Sequence, residues 1–484
     1  MTPETDRRRF MRTMAGAAAG LAALADADRA KPQAQRKPPN LLIIHTDQLS
    51  QWALSIYAPN LTETPNYGAT LVETPHIDRI GREGVVLTNF FTNSAVCTPS
   101  RGCLFTGRYP HSHGAYRNNI ELGRDEVTIA HVLRDNGYDT GYSGKWHLDG
   151  PPKPGFMSPD RAMGFDDCTY MFNRGHWKKM WDNDLGKPEL TGHYKEIGDE
   201  ETYMTDFLAT KTIEFATRRR ANPFFYVVSF PDPHGPLTVR EPYMSMYDPE
   251  QMPVPNTFTP PKGEQDPDQA KATMKQRKAH YCGLVKCIDD NVKRILDALE
   301  ASGILDDTII VFTTDHGDYM GEHGLYGKNQ WYRTAYQLPF LVRWPRQIPP
   351  NTVLDRFVTN VDVQQTLLGL MGIEPCGREQ GRDASALLRG NRRKWEDVAW
   401  IHHSSLKGAG IFTPRRELVL RSNGDHMLFD RIADPEQTNN LAGDRAHRSA
   451  LKKLAGRVLR HHRALDSPAM EWLQAAVSAA GRTQ

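Results

Sequence analysis

The run Asn40-Leu41-Leu42-Ile43-Ile44-His45, broken at once by Thr46-Asp47-Gln48, constrains the fold of this chain more than any other feature. A strand buried on both faces reads as a continuous apolar run, and in a parallel sheet its C-terminal end delivers polar groups to one edge. Phe224 to Phe230 and Thr308 to Thr314 are two further apolar, β-rich runs. Helices are spaced among them. Thr74 and Pro75 suit the cap and first turn of one, which Gly84 closes before a strand from Val85 to Phe91. Thr128 to Asn136 reads as another, closed by Gly137 and followed by a strand from Tyr138 to Ser143. Leu284, Ile288, Val292, Ile295 and Leu299 recur at helical spacing, with Gly303 as a stop. The alternation predicts an α/β fold, a large, mostly parallel or mixed sheet sandwiched by helices.

The pattern changes after about residue 370. Glu417 to Arg421 and His426 to Phe429 look like short strands, and Arg448 to Leu465 like a helix. Residues 40–370 are therefore expected to form the main domain, and 371–484 a smaller C-terminal α+β subdomain of antiparallel sheet plus helix. Residues 150–200 and 236–275 are rich in Pro, Gly and charge and read as surface excursions, the kind of segment that carries specificity. The 60 Lys and Arg nearly balance the 58 Asp and Glu, so global charge does not point to nucleic acid. Beyond the N-terminus no stretch has the apolar length of a membrane span, and no stable membrane anchor is expected.

The N-terminus has its own logic. Arg7-Arg8-Arg9-Phe10 precedes a weakly hydrophobic Ala/Gly-rich core, and Ala25-Asp26-Ala27 supplies a small-x-small cleavage site. That order predicts a twin-arginine signal peptide over 1–27, a linker over 28–39, and a periplasmic or secreted protein that engages the export machinery. Such proteins fold before they cross the membrane, so Cys103, Cys168, Cys282, Cys287 and Cys376 read as reduced core residues.

Cys97 differs in its surroundings, Cys97-Thr98-Pro99-Ser100-Arg101-Gly102-Cys103-Leu104-Phe105-Thr106-Gly107-Arg108. Pro99 and Ser100 suit the first turn of a helix, which places Cys97 at a helix N-terminus where free N–H groups favour an anion. Cys-x-Pro-x-Arg, continued through Leu104, Thr106, Gly107 and Arg108, resembles the signature of the formylglycine-dependent type I sulfatases of the alkaline phosphatase superfamily. Further segments resemble the same family in the same order. They are Asn40 to Gln48, Gly144-Lys145-Trp146-His147, Thr314-Asp315-His316-Gly317-Asp318, Gly327-Lys328, Thr359 to Leu370, and Leu428 to Leu441. The resemblance spans roughly residues 40–445.

The resemblance implies a hydrolase of sulfate esters in which Cys97 becomes formylglycine (3-oxoalanine), made by a formylglycine-generating enzyme. It implies one divalent metal ion held by Asp47, Gln48, Asp315, His316 and the residue at position 97. Ca²⁺ is the family's usual ion. Gln48 and His316 depart from the commonest arylsulfatase pattern, and an imidazole ligand opens the site to Mn²⁺ or Zn²⁺. Arg101, Lys145 and Lys328 are implied to hold the sulfate, His147 to release it, and His234 to protonate the leaving alcohol. Long loops favour a sulfated carbohydrate over a small-molecule sulfate ester. His111, His113, Asn118, His176, Trp177, Trp331, Arg333, His402 and His403 lie in loops that could reach such a substrate. A phosphonate or phosphate ester hydrolase using the same site, or an inactive sulfated-glycan-binding homologue, are the alternatives.

Overall fold

The computed structural model describes residues 37–60, 71–150, 155–191, 194, 196–391 and 394–480. The expected signal peptide and residues 28–36 of the expected linker lie outside the described residues. Strand β1 (Asn40–Asp47) lies in the middle of a nine-stranded sheet with β2 (Val85–Phe91), β3 (Asp139–Lys145) and β4 (Asp167–Phe172). A separate two-stranded sheet joins β5 (Met180–Asp182) to β6 (Pro188–Leu190). The large sheet also takes in β7 (Phe224–Pro233), β8 (Thr308–Thr314), β9 (Gln337–Arg343), β10 (Thr352–Leu354) and β11 (Val358–Thr359). Its order is β10-β2-β9-β8-β1-β7-β3-β4, with β11 also pairing to β2. Only β9 among these runs antiparallel to its neighbours β8 and β2, so the sheet is mixed but mostly parallel.

Every residue of β1, β7 and β8 is buried, which is why these strands read as unbroken apolar runs. Successive side chains of β1 point to opposite faces. Leu41 and Ile43 join one core with Leu104, Phe105, Leu133 and Leu367, while Leu42 and Ile44 join another with Ile80, Phe215, Val285 and Ile295. The helices on the second face are α1 (Pro75–Arg82), α4 (Met204–Thr217) and α5 (Pro267–Ala301); those on the first are α2 (Cys97–Thr106), α3 (Ile129–Asp135) and α6 (Asn360–Met371). Capping follows the local sequence. Thr128 and His131 form a capping box at α3, as do Thr359 and Asp362 at α6.

The structure corrects two expectations and adds a strand not assigned from the sequence. Helix α5 starts at Pro267, capped by Asp266, so its first turns replace the end of the excursion assigned to 236–275. Those turns bury only Ala270 and Met274, too sparse to show a helical period. The excursion at 150–200 contributes β4, the edge of the main sheet. Strand β9 was masked in the sequence by Pro339, which falls at the register shift between Leu87 and Phe90, where the ladder needs no N–H.

The C-terminal sheet has four antiparallel strands, β12 (Ala399–His402), β13 (Gly408–Phe412), β14 (Arg416–Arg421) and β15 (Met427–Asp430). Helices α7 (Arg448–Ala464) and α8 (Met470–Ala480) cover one face through Leu451, Ala455 and Leu473. The other face sets Ile401, Phe412 and Val419 against Phe91, Tyr336 and Phe357 of the main layer. No helix among the described residues is long and apolar enough to cross a membrane.

Candidate active site

Parallel strands in one sheet end together, and this sheet gathers charge where they do. Asp47 ends β1, Lys145 ends β3, Asp315 follows β8 and His234 follows β7. Helix α2 begins at the same edge with Cys97 as its first residue, buried. The helix has no local side-chain cap; Asn118 Oδ1 instead accepts from the Thr98 N–H at 3.1 Å. Gly107, in the left-handed region, closes the other end.

Arg101 lies one turn into α2 and is wholly buried. Its Nη2 is 3.0 Å from Asp47 Oδ2 and its Nε 3.0 Å from Asp315 Oδ2, so one guanidinium bridges the two strand-end carboxylates. Nη1 donates to the Lys145 carbonyl at 2.6 Å and to Ser229 Oγ at 2.9 Å. Lys145 Nζ is 2.6 Å from the same Asp47 Oδ2. Buried charges persist only when paired in this way.

Cys97 Sγ lies 3.1 Å from His316 Nε2 and 3.9 Å from Asp47 Oδ1. Asp47, Cys97, Asp315 and His316 each offer one donor atom within 4.8 Å of the other three. Two carboxylates and an imidazole beside a helix N-terminus fit a divalent cation. Gln48, in the left-handed region at φ 67°, presents its amide to Lys328 and Asp318. Its Oε1 accepts from Lys328 Nζ at 2.6 Å, and its Nε2 donates to Asp318. Asp318, unassigned from the sequence, is buried and also accepts from the Met320 and Gly327 N–H groups, which ties the Lys328 loop down.

Two histidines complete the pocket. His234 Nε2 is 2.7 Å from Lys328 Nζ, and its ring stacks on His176 with centroids 3.8 Å apart. His176 Nε2 lies 2.8 Å from Lys145 Nζ. The loop carrying His234 is fixed by Asp232, which pairs with Lys178 and accepts from Tyr203 and Thr205 hydroxyls at 2.6 and 2.7 Å. His147 follows β3 with φ 60° and a buried Nδ1 that has no hydrogen-bond partner.

The electrostatics follow from burial and this crowd of cations. Burial alone would raise the Asp47 pKa, but Lys145 first, with Arg101 and Lys328, holds it well below the usual carboxylate range. Burial and Asp47 push the Cys97 thiol up, yet Lys328, Lys145 and His316 bring it down to about 6. Burial, then Lys145 and Arg101, lowers His147 well below the ordinary imidazole value, which keeps it a neutral base. Burial also lowers His234, so the proton between Lys328 and His234 resides on the lysine.

The remaining sequence candidates divide. Asn118 and His176 are at the site, and Trp177 packs beside it against Phe172 and Tyr194. His111, His113 and His402 are not at the site. They pack behind α2: the His113 ring would lie 2.4 Å from a Cβ added at Gly102, and His402 Nε2 is 3.3 Å from His461 Nε2. Trp331 packs on His403, and Arg333 pairs with Glu417 at 3.6 Å. Loop position in the sequence did not reveal which histidines face the strand ends.

Fold and site together define a hydrolase of anionic esters of the alkaline phosphatase superfamily type. The Sulfatase family profile matches residues 39–373, and the chain belongs to the sulfatase family of sulfuric ester hydrolases. Residues 321–464 match the profile described as N-sulphoglucosamine sulphohydrolase, C-terminal. The chain is 29% identical over 425 residues to an ulvan-active sulfatase of Formosa agariphila, covering 84% of this chain and 77% of that protein. It is 27% identical to an N-acetylglucosamine-6-O-sulfatase of Bacteroides thetaiotaomicron, covering 90% and 88%. A Bacteroides fragilis structure described as a yidJ sulfatase superposes with a TM-score of 0.77 at 26% identity, covering 92% of this chain and 99% of that one.

Proposed function

We propose that this enzyme removes sulfate from a sulfated carbohydrate, using a formylglycine formed from Cys97 and one divalent cation, Ca²⁺ first. One observation carries the reading: Cys97 stands at a helix N-terminus beside the donor atoms of Asp47, Asp315 and His316, with Arg101 bridging both carboxylates. The structure holds the unmodified thiol, so Sγ stands in for a hydroxyl of the aldehyde hydrate. When present, the cation supplies positive charge beside a sulfate oxygen, and the hydrate supplies a hydroxyl to attack sulfur and another to expel sulfate.

The chain's own residues do the rest. Arg101, Lys145 and Lys328 hold the anion and balance charge that grows as the S–O bond breaks. The leaving alkoxide oxygen takes its proton from the Lys328–His234 pair, which holds one between Nζ and Nε2 at 2.7 Å. Asp315, whose carboxylate lies beside position 97, takes the proton of the attacking hydroxyl, and His147, kept neutral, accepts the proton of the second hydroxyl as sulfate departs. Asp47, Asp315 and His316 would hold the ion, with Gln48 Oε1 anchoring Lys328 rather than adding charge. The sugar preference follows from the ulvan- and N-acetylglucosamine-active relatives. The expected twin-arginine signal and an extracytoplasmic location suit a polymer or oligosaccharide substrate.

Gln48 and His316 favour a second reading, phosphonate or phosphate ester hydrolysis at the same centre, because fewer negative ligands accommodate a more highly charged phosphoryl group. Rates on 4-nitrophenyl sulfate, 4-nitrophenyl phosphate and a panel of sulfated oligosaccharides discriminate the two. Sulfate release from an oligosaccharide supports the first reading, and a preference for the phosphate ester overturns it. Mass spectrometry of the peptide containing Cys97 should show an aldehyde that a hydrazide traps. A free thiol in fully active enzyme would overturn the mechanism, and a free thiol in an inactive protein that binds the sugar would make it a binding homologue.

A further inference from the structure

His176 lies in the segment between β4 and β5, outside any regular element, yet it joins the two ends of the anion pocket. Its Nε2 is 2.8 Å from Lys145 Nζ, and its ring lies flat on His234, 4° from parallel. His234 Nε2 is in turn 2.7 Å from Lys328 Nζ. Lys145, His176, His234 and Lys328 thus form one continuous row. An ammonium group only donates, so each imidazole accepts through Nε2 and carries its proton on Nδ1. His234 Nδ1 faces the Gly235 carbonyl oxygen at 2.8 Å, which agrees with that tautomer. Burial and then Lys145 lower the His176 pKa well below the ordinary value, so the ring stays a neutral acceptor.

His234, set among Pro233, Gly235 and Pro236, has two polar tethers, Nδ1 to the Gly235 carbonyl oxygen and Nε2 to Lys328 Nζ, and together they leave the ring plane free to tilt about the line through its two nitrogens. The stacked face of His176 removes that freedom. The same ring gives the Lys145 ammonium a second partner besides Asp47 and so fixes its direction. We infer that His176 is a positioning residue for ester cleavage: it orients the Lys145 ammonium on the anion side and sets the plane of His234 on the leaving-group side. The inference rests on the sulfate-ester reading above and deepens it. His176 needs no bond to the substrate for this; it acts through its two neighbours.

The two contacts can be separated chemically. His176→Phe keeps a stacking face and loses the acceptor; His176→Asn keeps an acceptor and loses the face. The test is steady-state kinetics of the matured, metal-loaded enzyme and these variants, with His176→Ala, on aryl sulfates of graded leaving-group acidity. Melting temperatures establish that each variant is folded. His176→Ala should lower kcat by about tenfold or more, since small misplacements of a catalytic group carry losses of that order. The loss should grow as the leaving group worsens, because proton delivery by the Lys328–His234 pair matters most there. His176→Phe should regain the wild-type leaving-group slope but keep a raised KM. His176→Asn should regain KM and keep the steep slope. Equal losses on every ester, or Phe and Asn variants that behave alike, overturn the inference alone. An unaltered enzyme that cleaves no sulfate ester overturns the underlying reading and the inference with it.

Discussion

Lys145 Nζ sits 2.6 Å from Asp47 Oδ2, and neither side chain reaches solvent. The same oxygen also takes Arg101 Nη2 at 3.0 Å, while Asp47 Oδ1 faces Cys97 Sγ at 3.9 Å. The two oxygens of one carboxylate therefore face different partners. One neutralises the anion-binding cations, and the other is turned toward position 97 and the proposed ion. On the proposed reading, Asp47 would link the anion-binding cations to the metal shell.

Arg101 should be the most stability-sensitive residue of the site. Arg101→Met leaves Asp47 and Asp315 buried without their shared partner. Loss of one member of a buried pair costs about 3–5 kcal/mol. Urea unfolding of the variant should show that loss, and an unchanged midpoint would contradict the bridging role. A bound divalent cation should offset part of it by mass action.

Removal of divalent ions with a chelator should abolish sulfate-ester turnover and lower the melting temperature. Titration back with Ca²⁺, Mn²⁺ and Zn²⁺, followed by melting temperature as well as rate, identifies the preferred ion. Asp315→Ala should erase the ion-dependent shift while the C-terminal sheet, which it does not touch, stays intact. A shift of wild-type size in that variant would exclude Asp315 from the metal shell.

The histidine cluster behind α2 predicts a pH effect on stability. Burial lowers His462 to about 3 and His113 to about 3, and lowers His402 below its ordinary value. Each folded value lies below the unfolded value of 6.5, so on acidification the unfolded chain binds protons that the native chain refuses. The stability these groups contribute is present above about pH 6.5 and is lost as pH falls toward 3. Each contributes a slope of about 1.4 kcal/mol per pH unit in that window. Urea unfolding from pH 7 to 5 should show a shallower decline for His462→Leu than for wild type. Parallel curves would mean that His462 is protonated in the native state.

Gly144→Ala should disable the site without removing any functional group. Gly144 has φ 97°, and an added Cβ would lie 2.0 Å from the Ser229 carbonyl oxygen on neighbouring β7. β3 would have to move away from β7, taking Lys145 with it. The expected result is a lower melting temperature together with near-complete loss of turnover, measured on the same preparation. A variant of wild-type activity would show that β3 tolerates the shift.

Much of this was legible in the chain itself. Burial on both faces leaves a strand no reason to alternate, so β1, β7 and β8 show as apolar runs, and the polar residue after each run marks the strand end. The Cys97 helix start was legible because Pro99 and Ser100 suit a first turn. Strand β9 was hidden because a proline at a register shift reads as a breaker, and the start of α5 because its exposed turns have no period.

The sequence by itself determined the layered α/β fold, the family, and the residues that come just after each strand, since those are local consequences of hydrophobic pattern and capping. Only the tertiary structure decided which histidines meet. His176 and His402 read alike in the sequence, yet one stacks on His234 beside Lys145 and the other, at the end of β12, packs against His461 behind α2. It also decided that Gln48 turns to Lys328 and Asp318. The reason is distance along the chain. Contacts between residues far apart in sequence are set by how the sheet brings its strand ends together, and no local pattern of residue types records that.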